Sequence, residues 1–109
     1  YFLTHAHSDH YTGLTERWPR SLWPVFCSEL TAALVVQKLG LPPEMLSPLK
    51  MHEETEVGSE GLRVTLVGAN HCPGAAQMLF RCADGSRHVH TGDCRFAEAL
   101  KAEAPLAAF

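Results

Sequence analysis

The sequence predicts a mixed domain of the α/β (α+β) class, and three observations lead there. Short apolar and β-branched runs recur between turn-forming residues, at Tyr1–Leu3, Pro24–Cys27, Leu62–Ala69 and Gln77–Cys82, the mark of strands. One apolar stretch, from about Glu29 to Leu39, is framed by helix start and stop residues. An Asp84-Gly85 pair sits between two strand-like runs, a strong hairpin signal.

Taken in order, Tyr1–Leu3 reads as the end of a buried strand. Tyr11 to Trp18 is expected to form a short helix, stopped by Pro19. Pro24–Cys27 is a second short strand. Ser28 offers an N-cap, Glu29 suits the first turn, and Gly40 with Pro42 beyond it ends the helix. Leu30, Ala33, Leu34 and Val36 leave little polar face besides Gln37 and Lys38, so this helix is expected to be largely buried. Residues 41–60 are punctuated by prolines and glycines and should be loop-rich, with one or two short strands. Glu53, Glu54 and Glu56 read as a solvated edge, and His52 as a surface residue. Val64, Leu66 and Val67 mark a strand, Asn70 to Ala75 a turn, and Gln77–Cys82 and Arg87–Thr91 a hairpin. A two-residue turn would set Phe80 opposite Val89 and Asp93 opposite Ala76. With the other strands parallel, His5, His71 and Asp93 would then share one rim of the sheet, where strand-end loops commonly build sites.

The chain has 109 residues, 46% hydrophobic and 19% charged, enough for one modest core. It opens inside an apolar run and closes in an alanine-rich stretch, so it reads as a fragment of a longer protein, in one domain over residues 1–109. No apolar run is long enough to span a membrane. The net charge is −3 and the pI about 6.1, without the basic excess usual in nucleic-acid binders. Cys27, Cys72, Cys82 and Cys94 form no Cys-x-x-Cys and lie in apolar surroundings; reduced packing residues are expected.

Residues 4 to 10 read Thr4-His5-Ala6-His7-Ser8-Asp9-His10. Three imidazoles and a carboxylate, with no thiolate among them, suit a divalent ion such as zinc or manganese. Catalytic sites use His and Asp and leave a position open to water, whereas structural zinc sites are usually closed by cysteines. In extended backbone His5 and His7 project to the same side and can grip one ion. Asp9 and His10, beyond a bend, can reach a second. A polar surface loop with chance histidines is the alternative, and four ligand-type side chains in this pattern weigh against it.

These residues resemble the metallo-β-lactamase fold, whose signature is the His-x-His-x-Asp-His loop. The finer resemblance is to the DNA cross-link repair nucleases of the β-CASP branch, the Artemis-like group. It rests on Thr4 to Tyr11 with Gly13-Leu14 and Trp18, on Cys27-Ser28-Glu29-Leu30-Thr31-Ala32, and on Lys38-Leu39-Gly40. It rests above all on Ala69-Asn70-His71-Cys72-Pro73-Gly74-Ala75 and His90-Thr91-Gly92-Asp93. The resemblance implies part of an αββα sandwich with a metal site at one rim of the sheets. It implies His5, His7, His71 and Asp93 as ligands of a first zinc ion. Asp9 and His10 would serve a second, with Asp93 as bridge. Gly68 stands where these nucleases often carry an acidic residue, and Cys94 where an aromatic is common. The family's upstream Asp motif, a further downstream His ligand and the β-CASP cap are not among these residues.

The implied activity is metal-assisted phosphodiester hydrolysis on DNA that is damaged or has free 5′ ends. The resemblance implies a 5′-to-3′ exonuclease, or a structure-selective endonuclease as in Artemis-like members, in interstrand cross-link and double-strand break repair, in the nucleus, alongside repair-protein partners. Asp9 is the candidate catalytic residue, orienting water or taking its proton; a purely structural carboxylate is the other reading. His90 is read either as a partner orienting a ligand or as an ordinary strand histidine, and His88 as the latter. Arg95 could face phosphate or pair with a carboxylate. Two alternatives stand beside the nuclease: a hydrolase of this fold acting on RNA or a small ester or lactam, and a non-catalytic repair scaffold. The 109 residues alone are expected to be inactive and poorly stable.

Overall fold

A computed structural model describes all 109 residues. Nine regular elements follow one another: α1 (Ser8–Tyr11), β1 (Val25–Ser28), α2 (Glu29–Leu39), β2 (Leu46–Leu49), β3 (Thr55–Val57), β4 (Leu62–Gly68), β5 (Ala76–Arg81), β6 (Arg87–His90) and α3 (Ala104–Ala107), with single 3-10 turns at Arg20–Leu22, Pro43–Met45 and Glu98–Ala102.

The strands form two sheets. In the first, β1 and β2 run parallel, and Phe2 adds a parallel bridge to Phe26. In the second, β3-β4-β5-β6 is antiparallel throughout. The strand arrangement is therefore mostly antiparallel, not parallel as the rim argument assumed. The period-2 alternation of a strand explains how the layers stack. Val25 and Cys27 of β1 face α2 and join a core with Val35, Ala32, Leu46 and Met45, whereas Phe26 between them turns to the second sheet. There Phe2, Phe26 and Leu49 pack with Val64, Leu66, Ala76, Met78 and Phe80. The order of layers is α2, first sheet, second sheet, and then the C-terminal segment with α3 against β4. This is an αββα arrangement.

Helix α2 has the expected ends. Ser28 Oγ accepts from the Thr31 amide at 3.2 Å, and Gly40 closes the helix in the left-handed region. Its burial is smaller than composition suggests: only Thr31, Ala32 and Val35 are buried, and Leu30 is 48% exposed. One stripe of a helix lies on a sheet, whatever the residues around the rest of it.

The expected helix over Tyr11–Trp18 is absent. The helical turn comes earlier, within the ligand loop, and ends where Gly13 takes φ +87° and the Thr12 hydroxyl donates to Ser8 O at 2.7 Å. The side chain of Thr12 thus satisfies a carbonyl that a continuing helix would have used.

The hairpin is one residue out of the expected register. Leu79 faces Val89 and Phe80 faces His88, because the connection holds three residues rather than two. Gly85 N donates to Cys82 O and Cys82 N to Ser86 O, with Gly85 at φ +85°, the turn-plus-bulge solution for a three-residue loop. Asp84 Oδ1 accepts from Ser86 N at 2.8 Å. Those hydrogen bonds from Ser86 hold the Asp84 carboxyl below its ordinary range. A slip of one residue exchanges the faces of every side chain in β6. Strand β6 also ends at His90, so Asp93 reaches the rim through a loop instead of by pairing with Ala76.

His52 lies on the surface and pairs with Glu103 at 2.8 Å. The acidic run is less idle than expected: Glu54 bridges Arg63 and Arg81, which stand directly across from one another on β4 and β5. All four cysteines are free, and burial pushes the Cys27 thiol up to about 12.

The contact between α2 and the 69–75 turn fixes the position of His71. Gly74 O accepts from Ser28 Oγ at 2.7 Å and from Thr31 Oγ1 at 3.1 Å. Gly74 has φ +82°, and a Cβ there would come within 2.9 Å of both Thr31 N and Thr31 Oγ1. Gly74→Ala should therefore cost more than ~1 kcal/mol, because strain and clash add. Ser28→Ala, which removes both the cap and a partner of Gly74 O, should cost about 1–2 kcal/mol. Urea unfolding monitored by circular dichroism measures both.

Candidate metal centre

Four chain segments deliver side chains to one rim. The strand end at Leu3-Thr4 is tied to β5 by Ala76 N donating to Thr4 O at 3.0 Å, so His5 emerges beside the start of β5. His7 caps the N-terminal end of α1 with extended backbone, and Asp9 and His10 ride on that turn. His71 sits in the loop closed by Ala69 N donating to Ala75 O, with Asn70 in the left-handed region at φ +51°. The segment bearing Asp93 is stitched to this loop twice: Arg95 N donates to Ala69 O at 2.9 Å, and Asn70 Nδ2 to Arg95 O at 3.1 Å.

The result is a close cluster. The ring centre of His5 lies 4.8 Å from that of His71, 4.9 Å from His7 and 4.1 Å from His10. His71 Nε2 is 3.1 Å from His7 Nδ1 and 3.6 Å from Asp93 Oδ2. Asp93 Oδ2 is also 3.6 Å from His5 Nε2, while Asp93 Oδ1 is 3.2 Å from His10 Nε2. Two donor groups share His5: His5, His7 and His71 on one side, and His5, His10 and Asp93 on the other. Asp93 touches members of both. Asp9 stands further out, its side chain 76% exposed and its Oδ2 3.5 Å from His10 Nε2.

The arrangement fits a small divalent ion. Donors placed tetrahedrally at zinc distances stand roughly 3.3 Å apart; four of the donor pairs are 3.1 to 3.6 Å apart, and all donor atoms of each group lie within 4.8 Å of one another. His5 is fully buried and its Nε2 has no hydrogen-bond partner. A buried polar atom of this kind normally finds one. Burial lowers the His5 pKa, the neighbouring His10 lowers it further against the opposing pull of Asp93, and His7 and His71 add to the lowering. The lowering favours the neutral ring, which has a lone pair to offer. The donor set is nitrogen and carboxylate oxygen without sulfur, a combination that catalytic metal sites use more than structural ones.

The rest of the neighbourhood sorts itself by contact. His90 Nδ1 accepts from Gly92 N at 3.1 Å and so shapes the loop into Asp93, without touching the cluster's histidines. His88 is exposed on β6. Cys72 belongs to neither donor group. Three contributions to the site were not expected from the sequence: Thr4, whose Oγ1 is 2.9 Å from His5 Nδ1, Asn70, and the grip of Thr31 and the N-cap residue Ser28 on Gly74. Their only signal was position, beside a ligand or inside a motif.

Comparison with known proteins agrees with this geometry. The profile of the "Beta-lactamase superfamily domain" matches residues 2–107. The chain is 45% identical over 101 residues to the DNA cross-link repair protein SNM1 of Arabidopsis thaliana, covering 93% of this chain and 20% of that protein. It is 45% identical over 95 residues to the human DNA cross-link repair 1A protein, covering 87% of this chain and 9% of that one. It is 42% identical over 106 residues to the 5′ exonuclease Apollo of Gallus gallus, covering 97% of this chain and 22% of that one. The chain thus spans about a fifth or less of the length of these relatives. With a matching profile along nearly its whole length and an αββα layering with a His/Asp cluster at the rim, this chain belongs to the beta-lactamase superfamily.

Proposed function

We propose that this domain is the metal-bearing part of a zinc-dependent DNA nuclease that hydrolyses phosphodiester bonds, a 5′-to-3′ exonuclease of cross-link and strand-break repair working in the nucleus. The observation that carries the reading is the convergence of His5, His7, His71 and Asp93 around the partnerless Nε2 of a buried imidazole. The names of its relatives, DNA cross-link repair proteins and a 5′ exonuclease, support the substrate.

His5, His7 and His71, with Asp93, would hold one ion. His10 and Asp93, with Asp9 at the rim, would hold a second. When bound, zinc supplies Lewis acidity toward a phosphoryl oxygen and lowers the pKa of water. The chain's own residues do the rest. Burial keeps His5 neutral and fixed, so the site needs no reorganisation to accept a cation. Asp93 belongs to the second donor group and also reaches His71 of the first at 3.6 Å, so its carboxylate can serve both. Asp9 is exposed at the mouth of the cluster, where its carboxylate can orient a water molecule against an incoming phosphate and take its proton. DNA is the partner; with a net charge of −3, the cations at this rim would be the main local attraction for its phosphates.

Cleavage of a 5′-labelled DNA strand by the whole protein should stop on chelation and return with zinc. Asp9→Ala should slow it by about 10²- to 10⁴-fold, the range of a positioned base, and His71→Ala should lower zinc affinity as well as rate. Equal cleavage by wild type and both variants would exclude the metal mechanism.

The pH dependence follows from His5. In the unfolded chain it protonates around its ordinary value of 6.5, whereas in the folded, metal-free chain its pKa is lowered. The unfolded state then binds more protons below that value, so stability falls as pH drops through it. The melting temperature of chelated protein should be lower at about pH 5.5 than at about pH 7.5, and His5→Gln should flatten the difference.

A further inference from the structure

We infer that Thr4 is the residue that positions the centre, its hydroxyl turning the His5 ring so that Nε2 faces the ion while its side chain walls the loop that brings Asp93. The inference rests on the metal reading above.

Thr4 is itself buried, 7% exposed, and its backbone carbonyl is already used by Ala76 N. Its Oγ1 lies 2.9 Å from Nδ1 of the fully buried His5. A neutral imidazole carries one N–H, and the tautomer is set by the hydrogen bond the far nitrogen makes. With the proton on Nδ1 and donated to Thr4 Oγ1, the lone pair is on Nε2, the buried nitrogen that has no partner and faces Asp93 at 3.6 Å. Without the hydroxyl, Nδ1–H would be a buried donor with nothing to receive it. The ligand-ready tautomer would then be disfavoured.

The second contact is steric. Gly92, the residue before Asp93, has φ +54° and passes so close to Thr4 that an added Cβ would meet Thr4 Cβ at 3.1 Å and Cγ2 and Oγ1 at 3.3 Å. The Thr4 side chain therefore forms the wall against which the Asp93 loop is set. One β-branched side chain meets His5 by its oxygen and lines the Asp93 approach with Cβ, Cγ2 and Oγ1. Valine would keep the wall and lose the acceptor; serine would keep the acceptor and lose the methyl group.

The test is zinc affinity of the metal-stripped protein, by competition with a chromophoric chelator, for wild type, Thr4→Val and Thr4→Ser. Thr4→Val should bind zinc about 10- to 100-fold more weakly, the usual effect of removing a ligand's hydrogen-bond partner, with Thr4→Ser restoring most of the loss. Equal tight binding by wild type and Thr4→Val would overturn the role of Thr4 alone. Absence of zinc binding by folded wild type would overturn the metal centre and this role with it. A second measurement needs no variant and no metal: nitrogen-15 NMR of His5 in the stripped wild-type protein. The Nδ1–H form is expected, and a predominant Nε2–H form would refute the proposal.

Discussion

Everything at the rim depends on one buried imidazole. His5 is fully enclosed, one of its nitrogens meets Thr4, and the other has no partner. Burying a polar group without compensation is costly, and three further imidazoles around it make a proton there costlier still. A neutral ring with a free lone pair, aimed at a carboxylate and two other histidines, is the arrangement that a divalent cation relieves. The proposed zinc chemistry is a consequence of that desolvation.

The two sheets exist, for this purpose, to hold loops that are far apart in sequence. His5 leaves the first sheet's edge, His71 precedes β5 and Asp93 follows β6 at the same end of the second sheet, and the Phe2, Phe26 and Phe80 rings lock the two layers together, with Phe2 stacked on Phe26 at 5.3 Å and edge-on to Phe80 at 4.9 Å. Helix α2 contributes no ligand. Its first turn instead grips Gly74 through Ser28 and Thr31, and so sets the height of His71 on the rim. The motif residues around Ser28, which carry no chemistry, are explained by this contact.

The hairpin shows how a sound local reading can still miss. Asp84-Gly85 marks a turn, and a turn is there. Whether two or three residues form it is decided by the hydrogen bonds of Cys82, Gly85 and Ser86, and that one-residue choice reverses the faces of β6. Asp93 arrives beside His71 all the same, because the Ala69–Arg95 and Asn70–Arg95 hydrogen bonds bring it there, not the ladder. Likewise the apolar composition around α2 suggested full burial, but burial belongs to the stripe that meets the sheet.

What the sequence determined by itself was local and chemical. The ligand types and their close spacing at residues 5–10, the capped helix from Glu29 to Leu39, the strand runs and the turns all depend on near neighbours in the chain. The tertiary structure decided what depends on residues far apart. It set His5 beside His71 and Asp93, brought His10 to Asp93, and made the antiparallel second sheet. Such relations rest on desolvation and on hydrogen bonds between distant segments. No window along the sequence contains both partners.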